Sequence, residues 1–228
     1  MKDVSVVIFS HDEYTDAWGP MFKLLFKYWK CPYPVYVTAQ TEQCLIPEVK
    51  TINTDGMWTE RMKAALEQIP TKYVICMCED MFMRRKVKQQ MINKCLKAME
   101  EDECIGCFNF EKEYEDISLL LDDRYPGFGQ KPSGNHFQKS TQPTLWRREY
   151  LISLLDGAMT TWQWEEHENV YDHKHFIWCG SPDDLVFEYG YHENKPFGII
   201  KGKWCEADVK PLFKKEGIDI DLSIRGTV

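Results

Sequence analysis

The chain has 228 residues, 43% hydrophobic and 14% aromatic, which is enough for a substantial core in one large domain or two small ones. A formal charge of −8 and a pI near 5.3 argue against a nucleic-acid or anionic-membrane surface, because such surfaces need a basic excess to meet phosphates. Nine cysteines, an odd number scattered without a regular framework, read as buried thiols of a soluble protein in a reducing, cytoplasmic compartment.

The opening apolar run, Val4 to Phe9, is continuous and β-rich and ends in polar residues, the pattern of a buried parallel strand that opens into a loop. Its interruption by His11, Asp12 and Glu13 makes it too short for a signal or transmembrane segment. Over 15–30, Trp18, Phe22, Leu25, Phe26 and Trp29 recur at helical spacing, and Cys31-Pro32-Tyr33-Pro34 stops the helix. A strand at 35–38 completes a β-α-β order, a third is expected at 49–52, and a helix over 59–69 starts from a Thr59 cap. Residues 73–78 form a fourth strand that runs straight into Glu79-Asp80; 87–100 reads as an amphipathic helix and 104–110 as a further strand. Residues 122–141 are rich in Gly, Pro, Ser and Asn, carry no periodicity, and are expected to be a long loop. Helices are then expected at 144–155 and from Thr161, strands at 170–178 and 197–200, and a short helix at 211–217 that Gly217 stops. The alternation predicts an α/β fold: a single domain over 1–228 with a Rossmann-like, mostly parallel sheet flanked by helices. Residues 1–110 form its nucleotide half, and the loops gather at the strand C-termini, where ligands bind.

The sharpest chemical feature is Glu79-Asp80 at the end of an apolar strand. Carboxylates there need a cation or hydrogen-bond donors, so the sheet edge suits Mg²⁺ or Mn²⁺ held against a diphosphate, with Asp80 as the candidate ligand. The alternative is that both acids begin a solvent loop or cap the next helix. Trp162 and Trp164 beside Glu165 and Glu166 suit a sugar acceptor, the indoles stacking on its C–H face while carboxylates take its hydroxyls; the alternative is a core-packing Trp pair. His167, His173, His175 and His192 fall in one stretch without zinc-site spacing. His173 and His175 share one strand face, so a histidine of this stretch, His192 included, is a candidate to complete a divalent-ion site. Lys201, Lys203 and Arg225 bring positive charge to the C-terminal end of an acidic protein, where a tail folding over a diphosphate would stabilise it.

Residues 4–14, Trp58-Thr59-Glu60-Arg61 and Glu79-Asp80-Met81-Phe82 together resemble the nucleotide half of GT-A-type glycosyltransferases, especially small bacterial or viral enzymes of polysaccharide assembly. The similarity continues in residues 142–151 and in Trp162-Gln163-Trp164-Glu165, which resemble the acceptor-side segments of that group. The resemblance implies transfer of a hexose-like sugar from a nucleoside-diphosphate sugar to a saccharide or lipid-linked acceptor, in surface polysaccharide or glycan synthesis. It assigns donor contacts to Ser10, His11, Asp12, Trp58, Arg61, Glu79 and Asp80, with Lys201 and Lys203 added by charge. Glu165 matches the general base that takes the proton of the acceptor hydroxyl, with Glu166 as the second candidate. The family's usual Asp-x-Asp is here Cys78-Glu79-Asp80, and a thiol is a poor partner for a hard cation. Two rival readings are nucleotidyl transfer to a sugar phosphate and non-catalytic carbohydrate binding. The first calls for a Gly-rich basic loop after the first strand, where this chain has Ser10-His11-Asp12-Glu13.

Overall fold

The computed structural model describes residues 3–112, 118–132, 138–167, 171–190 and 198–228. Its first half alternates as the periodicity predicts: β1 (Val4–Phe9), one 3₁₀ turn (Asp12–Tyr14), α1 (Thr15–Tyr28), β2 (Val35–Ala39), β3 (Val49–Asn53), α2 (Trp58–Glu67), β4 (Tyr73–Cys78), α3 (Gln89–Glu101) and β5 (Ile105–Lys112). The second half supplies β6 (Leu120–Leu121), β7 (Phe128–Gln130), β8 (Thr144–Arg147), α4 (Arg148–Leu154), α5 (Thr161–Glu166) and β9 (Lys174–Trp178). A hairpin of β10 (Ile199–Ile200) and β11 (Lys203–Trp204) then leads into α6 (Glu206–Glu216), which ends on Gly217 in the left-handed region at φ 59°.

The chain is an α/β protein built on one large mixed sheet, ordered β3-β2-β1-β4-β8-β5-β9-β7-β6. Strands β3, β2, β1 and β4 are parallel, and β5 and β9 share their direction; β8 and β7 run against it. Alternation along each strand divides the core into two layers. Val4, Val6 and Ile8 of β1 pack with α1, α3 and α6 on one face, where Phe22, Leu96 and Phe213 are buried. Val7 and Phe9 face the other layer with Met62 of α2, Leu151 of α4 and Trp164 of α5. Both faces are therefore covered, and the polar chemistry is left to the strand ends.

Four expectations change. The helix expected over 144–155 begins only at Arg148, because Thr144–Arg147 is captured as a strand: Leu145 lies opposite Ile75 and Phe108, and Trp146 opposite Val74 and Cys107. Backbone pairing on two sides outweighs local helical preference there. The stretch 122–141 is not all loop, since β7 pairs with β9 and buries Phe128. Thr59 is not a cap; its hydroxyl donates to Gly157 O at 2.6 Å, and the start of α2 is closed by Glu60 accepting from Met57 N–H at 2.8 Å. Residues 170 and 197, where two expected strands begin, lie outside the described residues; residues 171–173 are not strand, so the strand expected over 170–178 is confined to β9 from Lys174, and that expected over 197–200 to β10. The nine cysteines are free thiols. Cys104 and Cys107 have C-x-x-C spacing, but Cys104 is exposed and Cys107 is buried within β5, and both are free thiols. No helix among the described residues is long and apolar enough to cross a membrane.

Candidate active site

At the C-terminal ends of β1 and β4 the chain encloses a cleft of about 130 Å³. Ser10, His11 and Tyr14 from the β1 loop line it with Trp58 and Arg61 of α2, Glu79 at the end of β4 and Thr161 of α5. The sequence explains why the acids stay at this rim. Met81, Phe82 and Met83, which follow them, are all buried, so the chain dives back into the core immediately after Glu79-Asp80. The turn closes through Met81 N–H to Cys78 O at 3.4 Å and Phe82 N–H to Asp80 O at 3.1 Å. Phe82 then anchors an aromatic cluster with Trp204 and Phe213, at ring centroids of 6.0 and 5.3 Å. This ties β11 and α6 beneath the acidic turn.

The β1 loop is fixed with equal economy. Ser10 N–H donates to Thr38 Oγ1 at 2.9 Å, Thr38 Oγ1 donates back to Ser10 O at 2.9 Å, and Trp18 Nε1 donates to Ser10 Oγ at 2.8 Å. Asp12 accepts from the backbone N–H of Gln40 at 2.8 Å and of Thr41 at 3.0 Å, and from the Thr41 hydroxyl at 2.7 Å. Burial works to raise the Asp12 carboxyl, but these bonds outweigh it and hold the group below its usual value. Asp12 therefore acts as the tie between the β1 and β2 loops, with its oxygens already engaged.

Glu79 is 7% exposed, and neither it nor Asp80 makes a side-chain hydrogen bond or ion pair with another residue among the described residues. Burial pushes Glu79 upward, Asp80 adds to this, and the fields of Arg225 and Arg61 oppose it. Asp80 is raised by burial as well, against Arg225. Both cations are held in place by other groups. Arg61 is buried and donates to Ser10 O at 3.2 Å. Arg225 pairs with Asp16 through Nε at 2.9 Å, donates to Glu13 O at 2.9 Å, and lies 4.5 Å over the Tyr14 ring. The C-terminal residues that carry Arg225 are stitched to β11 by Trp204 N–H to Gly226 O at 3.0 Å and Val228 N–H to Trp204 O at 2.9 Å. His11 is lowered by burial and then by Arg61, so its ring is neutral near pH 7.

Two adjacent carboxyl groups, with Arg225 near both and Arg61 near Glu79, form a donor set that suits a hard divalent cation arriving with a diphosphate, which takes one or two protein carboxylates and completes its shell with phosphate oxygens and water. A preformed all-protein cage is absent: no group of three or more His, Cys, Asp or Glu gathers as a metal site among the described residues. Burial keeps the Cys78 thiol protonated, well above its usual range, and so unfit as a third ligand. His192 lies outside the described residues. His175 is no substitute, because its ring nitrogens are occupied, Nε2 at 2.7 Å from Tyr150 Oη and Nδ1 at 2.8 Å from Gln138 O. His173 sits on Asp172 at 2.6 Å.

The acceptor-side candidates divide. Glu165 is half-buried, its Oε1 accepting from Thr141 N–H at 2.7 Å and from the Thr141 hydroxyl at 2.9 Å, and burial raises its carboxyl against these bonds. The same Thr141 carries its carbonyl 3.9 Å from Cys78 Sγ, so Glu165 adjoins the end of β4. Glu166, by contrast, is exposed. Trp164 is not a stacking platform: it is 1% exposed, its Nε1 donates to Leu154 O at 2.8 Å, and its ring packs on Trp58 at 5.2 Å. An indole is a large apolar side chain, and on a short helix over the sheet its burial helps to anchor that helix. Trp162 stands 71% exposed on the same helix, free to meet a ligand. Lys201 and Lys203 are exposed on the β10–β11 turn.

Sequence reasoning missed Tyr14, Thr141 and the fully buried Lys139, whose Nζ donates to His167 O at 2.7 Å beneath the Trp164 ring. Thr141 sits one residue before the segment recognised at 142–151, and nothing in its type marks it out. A larger cavity, about 510 Å³, lies between α3 and the turn at 123–126. Several of its rim charges are paired, Arg124 with Asp122 at 2.6 Å, Lys97 with Glu101 at 3.5 Å and Asp102 with Lys174 at 2.7 Å, and it contains none of the residues gathered at the cleft.

No family model and no curated protein matches the chain. Among solved structures it is similar to the bifunctional IspDF of Campylobacter jejuni, at 14% identity and a TM-score of 0.48 over 78% of this chain and 50% of that one. It is also similar to TarS 1–349 of S. aureus, at 11% identity and a TM-score of 0.47 over 79% of this chain and 59% of that one. A third is the 4-diphosphocytidyl-2C-methyl-D-erythritol synthase of Anaerococcus prevotii, at 8% identity and a TM-score of 0.48 over 79% and 90%. The chain thus spans half of IspDF and 59% of TarS 1–349, and likenesses of this strength leave the reading of the cleft to its own geometry.

Proposed function

We propose that the chain transfers a glycosyl group from a nucleoside-diphosphate sugar to a hydroxyl of a saccharide or lipid-linked acceptor. The observation that carries this reading is that Glu79, at the end of β4, shares one cleft with the tip of β1 and with Arg61, and that α5 brings Glu165 to the same edge. In this reading the β1 loop and Trp58 receive the nucleoside, and Glu79 and Asp80 hold a Mg²⁺ or Mn²⁺. That ion, when bound, supplies positive charge to the diphosphate. Arg61 and Arg225 flank the same position and stabilise the leaving group. Glu165 accepts the proton of the acceptor hydroxyl as its oxygen bonds to the anomeric carbon. The bond from that carbon to the diphosphate oxygen breaks, and the electron pair leaves with the nucleoside diphosphate. Exposed Trp162 offers the acceptor sugar an apolar face.

The test is release of nucleoside diphosphate from a panel of UDP-glucose, UDP-galactose, UDP-N-acetylglucosamine and GDP-mannose with Mn²⁺. Turnover of one member, abolished in Asp80→Asn with unfolding unchanged, is the expected outcome. Folded protein that neither binds nor turns over any of them refutes the reading. Release of pyrophosphate from a nucleoside triphosphate plus a sugar phosphate would replace it by nucleotidyl transfer.

A further inference from the structure

Glu165 is held by a segment outside its own helix. α5 has six residues, too few to persist by backbone bonding alone, and is clamped from beneath by residues 138–141. In that segment Lys139 Nζ reaches His167 O at the end of α5, at 2.7 Å, and Ser140 Oγ lies 3.4 Å from Glu111 Oε2 and receives Gln142 N–H at 3.1 Å. Gln138 O is fixed 2.8 Å from His175 Nδ1. Thr141 completes the clamp by giving both its donors to a single oxygen, Oε1 of Glu165, at 2.7 and 2.9 Å. Oε2 makes no hydrogen bond to another residue among the described residues and is left as the proton acceptor.

From this geometry we infer that Thr141 is the positioning residue of Glu165, locking one carboxylate oxygen through its N–H and hydroxyl so that the other serves as the base toward the acceptor hydroxyl. The inference rests on Glu165 being the base. Electrostatics agree: burial raises the Glu165 carboxyl, and the two Thr141 bonds act against it. The other charged or titratable groups that face it are Lys131, Lys139, Glu166 and Cys78, none of which a change at Thr141 removes.

Thr141→Val keeps the backbone donor and the side-chain volume but removes the hydroxyl, and Thr141→Ser restores it. The carboxyl resonance of Glu165 is followed by pH titration in protein labelled with ¹³C at glutamate, assigned by its loss in Glu165→Gln. Loss of a donor to the charged form moves the titration of Thr141→Val upward by about one pH unit, and Thr141→Ser returns it. Thr141→Ala, which demands no new packing space, shifts in the same direction. On the panel member that turns over, Thr141→Val lowers kcat about tenfold with the donor KM unchanged, and it has no further effect in Glu165→Gln. A wild-type titration in both Val and Ala variants, with Glu165→Gln inactive, overturns the role of Thr141 alone. Full activity of Glu165→Gln overturns the base assignment and the positioning role with it.

Discussion

Lys139 offers a direct measure of what a buried charge beneath α5 costs in stability. The residue is fully buried, with its ammonium under the Trp164 ring at 5.3 Å, and burial lowers its pKa from 10.5 to about 8 while Glu165 pulls the other way. Between pH 8 and 10.5 the unfolded chain keeps a proton at this position that the folded chain has released, so folding stability rises with pH across that window. Below pH 8 the full penalty is present. A displacement from 10.5 to about 8 corresponds to about 3 kcal/mol. Lys139→Met keeps a straight side chain of similar length, lacks the titrating group, and gives up the bond to His167 O. Urea unfolding of both proteins at pH 7.5, 9 and 10.5 measures the difference between them and cancels every other titrating group. Wild type is expected to gain about 3 kcal/mol on the variant between the first and last pH. Parallel stability profiles would mean that the ammonium is not desolvated in the folded state, and would refute the placement of Lys139 in the core.

Further outcomes follow from other contacts. Gly198 has no room for a side chain, since a Cβ there would lie 2.2 Å from Phe82 Cε2 and 3.2 Å from Asp80 O, so Gly198→Ala should lose about 1–3 kcal/mol by thermal unfolding and, under the proposed function, weaken nucleoside-diphosphate binding at the acidic turn. Glu216 takes the ammonium of Lys27 and the hydroxyl of Tyr28, and hydrogen bonds from both hold its carboxyl below the usual 4.5. Glu216→Gln should therefore be less stable at pH 7 by about 1–2 kcal/mol. Because the folded-state pKa is depressed, that advantage of the wild type is present above pH 4.5 and shrinks as the pH falls below it, which acid-unfolding curves would report.

The first half of the fold is legible because β1, β2 and β4 are short apolar runs, β3 keeps Val49 and Ile52 buried, and each helix shows its buried stripe, so local pattern and tertiary position agree. Legibility ends at Thr144–Arg147, whose neighbours on both sides, β4 and β5, are far away in the chain and leave no trace in local periodicity. At the cleft, Glu79-Asp80 is visible because charge at the end of an apolar strand is a local contradiction, and Arg61 because it lies in a motif that resembles a known family. Trp164 marks the limit: two tryptophans two positions apart look alike in sequence, yet the helix turns Trp162 to solvent and Trp164 into the core. Thr141 was invisible since its role consists of two hydrogen bonds to a residue 24 positions away.

The antiparallel strand β8 lies between β4 and β5, so the centre of the sheet is assembled from a piece of chain made well after its neighbours. A ribosome that has released only the first 112 residues presents β4 and β5 without the strand that lies between them in the sheet. Until Thr144–Arg147 emerges, each shows an open, apolar backbone edge to the cell. In the interval between those two moments the nascent protein is exposed to aggregation, and a fragment cut after residue 112 would remain in that state permanently.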